Sequence, residues 1–100
     1  MNLKTQLISC EALLTKIEEE FWSKKIIELL KNNKSEFDLN TIKEIKSWFG
    51  GMGSFNDFMI LKYNGHLVNE NDEEKLNKEL NILRENIYNE VMRLYKNLNA

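Results

Sequence analysis

The segment Gly-Gly-Met-Gly-Ser-Phe-Asn-Asp at residues 50–57 concentrates the ligand-binding potential of this 100-residue chain. Its glycines can expose main-chain N–H groups, and its short polar side chains offer hydrogen-bond donors and acceptors beside them. The same residues suit a structural clasp, in which glycines adopt positive φ and the polar side chains satisfy their own backbone. The sequence favours the clasp. The candidate binding residues of this glycine loop are Gly51, Gly53, Ser54, Asn56 and Asp57.

The remaining chemistry-capable residues form no catalytic or metal-binding pattern. His66, the single histidine, lies far in sequence from Cys10, the single cysteine, so no zinc-ligand spacing is recognisable. We predict a surface or turn histidine, and a cysteine that fills the core. No lysine follows the loop glycines as a nucleotide phosphate loop requires. We therefore expect no catalytic residue, metal or cofactor.

A second candidate site lies on the last predicted helix. Tyr88, Met92 and Tyr95 are spaced i, i+4, i+7 and form a stripe about 100° away from the helix's Leu/Ile/Val stripe. Aromatic and Met side chains are enriched in protein–protein interfaces. The pattern slightly favours a wide core face, and the alternative is an interface with another protein or with a second copy of the chain.

Hydrophobic spacing predicts the first three helices that position these residues. The first has apolar residues at steps of four and three, which line one helical face. The apolar phase then shifts by one residue, so a break or kink is predicted near Glu20, and a second stripe follows. Asp38 is predicted to cap a third helix that ends at Gly50 or Gly51. The first stripe consists of Leu3, Leu7, Cys10, Leu14, Ile17 and Phe21, and the second of Trp22, Ile26, Leu29 and Leu30.

The fourth predicted helix is the longest. Asn69, Asn71 or Asp72 can cap it, and its apolar stripe runs from Leu76 to Leu98. From its cap nearly to the C-terminus, the helix is predicted to be about 40 Å long. Residues 54–65 have no clear helical pattern and are predicted to be irregular, with room for one short helix. The predicted fold is all-α, a four-helix bundle in a single domain over residues 1–100, with the irregular glycine loop before the long C-terminal helix.

Composition narrows the classes of partner. The chain has 14 Lys and Arg against 16 Asp and Glu, and this balance disfavours nucleic acid as the main partner. No apolar run approaches the ~18 residues of a membrane span. One cysteine and an N-terminus without the pattern of a signal peptide predict a cytoplasmic protein.

The glycine loop resembles a segment of a family of small uncharacterised bacterial proteins, classed as a domain of unknown function. The resemblance extends over roughly residues 20 to 95 and includes Trp22, Leu83-Arg84 and Ile87-Tyr88. Phe58 departs from it, because Leu is expected there. The resemblance implies a bacterial, mostly helical domain and brings no activity or cofactor with it.

These observations favour a non-catalytic module that binds another protein. The specific expectation, from class resemblance, small size and mild acidity, is an immunity or inhibitor protein that neutralises a toxin or defence effector. The alternative is a small-ligand sensor or minor enzyme that uses the glycine loop as its pocket.

Overall fold

The computed structural model describes residues 2–50 and 53–99. They form four α-helices, α1 to α4, and two 3₁₀ turns. In chain order these are α1 (Leu3–Lys16), α2 (Glu20–Asn32), α3 (Leu39–Ser47), the turns Lys62–Asn64 and Glu70–Asp72, and α4 (Glu73–Leu98). Since this part of the chain contains no strand, the predicted all-α bundle is confirmed. Gly51, predicted as a binding residue, lies outside the described residues.

The predicted break between the first two helices is confirmed at residues 17–19. Glu18 has a left-handed backbone with φ of 59°. Glu19 caps α2, because its side chain accepts a hydrogen bond from the Trp22 N–H at 3.1 Å. Because of this turn, the buried stripe of α1 does not continue in the same helical phase into α2. Phe21, predicted to be the last buried residue of that stripe, is 62% exposed, and the stripe ends instead at Ile17.

The helices pack as an elongated bundle of 45 × 24 × 24 Å. α1 packs against both α2 and α4, and α3 packs against α4. α1 and α4 are antiparallel, because Leu3 lies beside Leu94 and Ile17 lies beside Leu76. With 26 residues, α4 spans about 39 Å and forms one side of the whole bundle.

The predicted core stripe of α4 is buried along most of its length. Leu80, Ile87 and Val91 are fully buried, and the other predicted members up to Leu94 are partly buried against them. Leu98 is 47% exposed, so its predicted burial is wrong.

The N-terminal cap of α3 agrees with the sequence, whereas the predicted end of this helix at Gly50 or Gly51 is wrong, because α3 ends at Ser47 with Trp48 as its C-cap. The capping of α4 also differs. The Asp38 carboxylate accepts a hydrogen bond from the Thr41 N–H at 2.9 Å, which confirms the predicted cap. α4 begins at Glu73, and Asp72 occupies the capping position without a capping side-chain bond. The preceding 3₁₀ turn leads into the helix, and Glu73 and Glu74 place negative charge in its first turn.

Cys10 fills the core, as predicted. Its side chain is fully buried on the inner face of α1. Burial in apolar surroundings disfavours the thiolate and raises the pKa of Cys10 from 9.0 to about 12. The thiol is therefore an apolar packing group at neutral pH.

Candidate functional site

The glycine loop is closed onto the core by Phe55. The Phe55 side chain is fully buried, and its N–H donates to the Trp48 carbonyl oxygen at 2.8 Å, which ties the loop to the end of α3. Four aromatic rings surround it at centroid distances between 5.0 and 6.2 Å. They belong to Trp22, Trp48, Phe49 and Phe58. The loop therefore supplies the centre of an aromatic cluster.

The polar residues of the loop hydrogen-bond within the loop. Asp57 Oδ2 accepts from the Gly53 N–H at 2.8 Å, and Ser54 Oγ accepts from the Asn56 N–H at 3.2 Å. Gly50 and Gly53 have φ of 132° and 79°, a region that favours glycine. Four predicted site residues thus meet in one turn, where Asn56 and Asp57 are exposed and Ser54 is half-buried. Their role in binding a ligand stays a prediction.

Arg84 holds the loop against α4. Its side chain is 5% exposed, and Nη1 donates to the carbonyl oxygens of Phe55 at 3.0 Å and Phe58 at 2.9 Å. Nη2 donates to Asn81 Oδ1 at 2.6 Å, while no described residue accepts a hydrogen bond from Nε. Burial lowers the pKa of Arg84.

In the sequence, Arg84 stands out only as part of the family pattern, and its hydrogen bonds to the glycine loop were not predicted. A signal was present in the sequence. Arg84 lies four residues after Leu80 and three before Ile87, so it falls within the buried stripe of α4. A charged residue at such a position must find hydrogen-bond acceptors inside the protein.

The second predicted site runs along the boundary between α3 and α4. Tyr88 is 42% exposed, and its ring centroid lies 5.2 Å from that of Phe49. Met92 and Tyr95 are half-buried, and the Lys46 ammonium lies 5.2 Å from the centroid of the Tyr95 ring. α3 and the residues after it thus cover part of this stripe. Its predicted role as an interface stays a prediction.

His66 joins the segment before α4 to the turn between α1 and α2. His66 follows the 3₁₀ turn, in line with the turn alternative of the prediction, but the surface alternative is wrong, because the residue is only 8% exposed. Nδ1 accepts a hydrogen bond from the Leu61 N–H at 3.1 Å, so the ring proton lies on Nε2. Nε2 is 3.2 Å from Glu19 Oε1 and donates to it. The Leu67 N–H also donates to the Ile17 carbonyl oxygen at 2.9 Å, which makes a second link.

Large apolar side chains are exposed around this junction. We call the set the apolar end. It lies on the first turn of α2 and on residues 59–67, which the His66 and Leu67 hydrogen bonds bring to the same end of the bundle. The members are Phe21, Met59, Tyr63 and Leu67, with exposed fractions of 62%, 52%, 96% and 66%. Sequence periodicity did not identify this surface.

A cleft of about 480 Å³ opens beside the apolar end. It is bounded by the end of α1, the segment before α4 and the first turns of α4. Its lining consists of Lys16, Ile17, Lys62, His66, Leu67, Val68, Asn69, Asp72, Lys75 and Leu76. None of these residues belongs to the glycine loop.

Within the described ranges, no group of three or more His, Cys, Asp or Glu side chains is placed to hold a metal ion. None of the helices in the described ranges is long and apolar enough to cross a membrane.

The fold and its contacts define a small all-α protein with an inward glycine loop and an exposed apolar end. Residues 15–69 match the family described as Domain of unknown function (DUF6966), and the chain belongs to that family. The matched range extends from the end of α1 through the glycine loop to Asn69. The predicted relation to an uncharacterised family is thereby confirmed for these residues. The glycine loop as a mark of that family, the predicted extent to residue 95 and the bacterial origin stay predictions. Comparisons with curated proteins and with solved structures gave no match.

Proposed function

We propose that this protein is a non-catalytic module that binds another protein through the apolar end. The observation that carries the proposal is the exposure of four large apolar side chains at one end of a small bundle. Single exposed apolar residues are ordinary on protein surfaces, whereas several of them at one end of a bundle favour an interaction site. Tyr63 is 96% exposed, and tyrosine is enriched among the residues that dominate binding energy.

The hydrogen bonds around the apolar end fix its backbone in the absence of a partner, and this order favours binding. Glu19 bonds both His66 and the first turn of α2, and the Leu67 N–H is bonded to Ile17. The Phe21 ring lies edge-on to the Trp22 ring at a centroid distance of 5.1 Å. A surface that is already ordered loses less conformational entropy on association.

The specific form of the proposal is a cytoplasmic immunity or inhibitor protein of bacterial origin, which neutralises a toxin or defence effector. The small size of the chain and its formal charge of −2 support this form. Co-expression with the product of a neighbouring toxin gene tests it, and restored growth of the producing cells is the expected outcome. Growth that stays inhibited despite folded protein contradicts it.

The binding proposal is tested with two double variants. Phe21→Ser/Tyr63→Ser removes aromatic surface from the apolar end. Ile8→Ser/Ile82→Ser is the matched control, since these residues are 53% and 59% exposed on α1 and α4 away from that end. Each tagged variant is used to capture partners from cells of the source organism, with folding checked by circular dichroism. We expect the first variant to lose a partner that the wild type and the control retain, and equal capture by both variants contradicts the proposal.

Two further variants separate the alternatives. Tyr88→Glu/Tyr95→Glu tests the boundary of α3 and α4 as an interface with a partner or a second copy. Asn56→Ala tests the small-ligand alternative, which the exposed position of the Asn56 side chain in the loop supports. If one of these variants folds but loses binding, while Phe21→Ser/Tyr63→Ser keeps it, the binding site lies on the surface that carries the substitution.

A further inference from the structure

We propose that the cleft beside the apolar end binds a small organic anion that carries an apolar group. This goes beyond the proposed function, because the ligand is a small molecule and the site lies between α1, the segment before α4, and α4 itself. The cleft volume of about 480 Å³ falls within the range of small-molecule sites.

The cleft gathers positive charge in a chain whose net charge is negative. Lys16, Lys62 and Lys75 come from three separate elements, and none of their ammonium groups forms an ion pair with the described carboxylates. Asp72 is the single carboxylate among the lining residues. Three lysines and one aspartate give the lining a formal charge of +2, with neutral His66, against −2 for the whole chain.

Three further carboxylates lie close to the lining. Glu70 shares an adjoining cleft with Lys62 but forms no ion pair with it, and the other two carboxylates already have partners. Glu73 Oε2 accepts a hydrogen bond from the Lys62 N–H at 2.8 Å, and Glu19 accepts from His66. Neither is paired with a lysine ammonium of the cleft. The three ammonium groups are therefore left to attract an anion from solution.

Four of the ten lining residues are apolar. Ile17 is 1% exposed, and Val68 and Leu76 are half-buried. Leu67, which is 66% exposed, adds apolar surface at the edge. Apolar side chains next to a small number of charged and polar groups are typical of small-molecule sites. This arrangement fits a carboxylate or phosphate ester joined to a hydrocarbon group.

The remaining polar groups favour binding without turnover. Both ring nitrogens of His66 are engaged, Nδ1 with the Leu61 N–H and Nε2 with Glu19, so the ring does not serve as a general base. Asn69 lies in the lining, and its side chain forms no capping bond to the following turn. Its amide can therefore donate to an anion.

The site is tested by two-dimensional ¹H–¹⁵N NMR of the whole chain during titration with hexanoate. Hexan-1-ol has the same chain without the charge, and acetate has the charge without the chain. We expect saturable hexanoate shifts at the amides of residues 16–17, 66–69 and 75–76, reduced by added salt because the lysines are exposed. Equal shifts with hexan-1-ol or acetate, or no saturable shift with millimolar hexanoate, overturn the proposal.

Lysine variants test whether the NMR shifts come from hexanoate bound in the cleft. Lys16→Gln, Lys62→Gln and Lys75→Gln should each weaken hexanoate binding about two- to fivefold, the range for exposed ion pairs. Lys43→Gln is the matched control, because it removes the same charge from α3, outside the cleft. An equal loss in the control overturns the proposal. Partner capture depends on Phe21 and Tyr63 and uses none of these lysines, so the two proposals fail separately.

Discussion

The two halves of the segment that joins α3 to α4 are built in opposite ways. In the first half, residues 48–50 and 53–58, the aromatic side chains pack inward, with Phe55 fully buried and Arg84 bonded to the loop carbonyls. In the second half, residues 59–69, Ile60 and His66 are buried, but the large side chains of Tyr63 and Leu67 are 96% and 66% exposed. The motif that is most conspicuous in the sequence therefore supports the fold. The exposed apolar side chains come from residues with no conspicuous pattern.

The difference follows from how each half satisfies its backbone. In the inward half, Arg84 donates to two carbonyl groups that would otherwise be buried without partners. In the outward half, the Asn77 amide pairs with both the N–H and the carbonyl oxygen of Ile60, at 2.7 and 2.9 Å. His66 and Glu73 accept from the next two N–H groups. Side chains at the edge of the bundle thus fix this backbone without burying Tyr63 or Leu67.

Substitution of one aromatic residue in each half should give the largest contrast. Phe55→Ala removes the centre of the aromatic cluster and should cost about 3–5 kcal/mol of unfolding free energy. Tyr63→Ala should change it by less than about 0.5 kcal/mol, because the side chain is almost fully exposed. Urea denaturation followed by tryptophan fluorescence measures both, and similar costs for the two variants contradict the contrast.

Removal of the buried guanidinium should have the next largest effect. Arg84→Met keeps much of the side-chain volume but leaves the Phe55 and Phe58 carbonyl groups unpaired, which should cost about 1–3 kcal/mol. Arg93→Met is the control, since Arg93 is exposed and pairs with Glu90 on the surface. Chemical denaturation of both variants checks the prediction. A stability loss in the control as large as in Arg84→Met shows that the loop carbonyls do not depend on Arg84.

The helices were predictable because each depends on local spacing and local capping. The break after Ile17, the Asp38 cap and the long α4 all follow from residues within one or two turns of each other. The contacts that the sequence did not reveal are distant ones. Glu19 and His66 are 47 residues apart, and Arg84 and Phe55 are 29 apart.

The same reason explains the errors about individual residues. Phe21 was assigned to the wrong stripe because the left-handed turn at Glu18 changes the phase between two helices. His66 was predicted at the surface because its neighbours in sequence are turn residues, whereas its partners come from the start of α2 and from Leu61. Helical periodicity was enough to place Tyr88, Met92 and Tyr95 on one stripe of α4. The exposure of Tyr63 at the apolar end depends on tertiary structure, which periodicity does not describe.

Glycine substitutions should affect the two halves equally. Gly53 and Gly65 have φ of 79° and 87°, and an added Cβ meets no described heavy atom within 4 Å at either position. Gly53→Ala and Gly65→Ala should therefore each cost about 1 kcal/mol, from backbone strain alone. Thermal and urea unfolding provide the measurement. A much larger cost at Gly53 means that the inward loop has a steric restriction as well.

The smallest effect is expected at Asn56. Its side chain is exposed, and the hydrogen bond to Ser54 uses the Asn56 backbone N–H, which an alanine retains. Asn56→Ala should change the unfolding free energy by less than about 0.5 kcal/mol. Urea denaturation beside the Gly53→Ala variant measures it. A large loss of stability shows that the side chain braces the loop in a way that its exposure does not indicate.

Hydroxyl-radical footprinting with mass spectrometry tests the central contrast between the two halves most directly. Each side chain's oxidation rate in the native protein is divided by its rate in the urea-unfolded chain, which removes differences in intrinsic reactivity. We predict a ratio near one for Tyr63, intermediate ratios for Phe21 and Met59, and strong protection of Phe55 and Trp48, which are 0% and 4% exposed. Phe55 oxidised as readily as Tyr63 in the native protein would contradict an inward glycine loop and an outward apolar end.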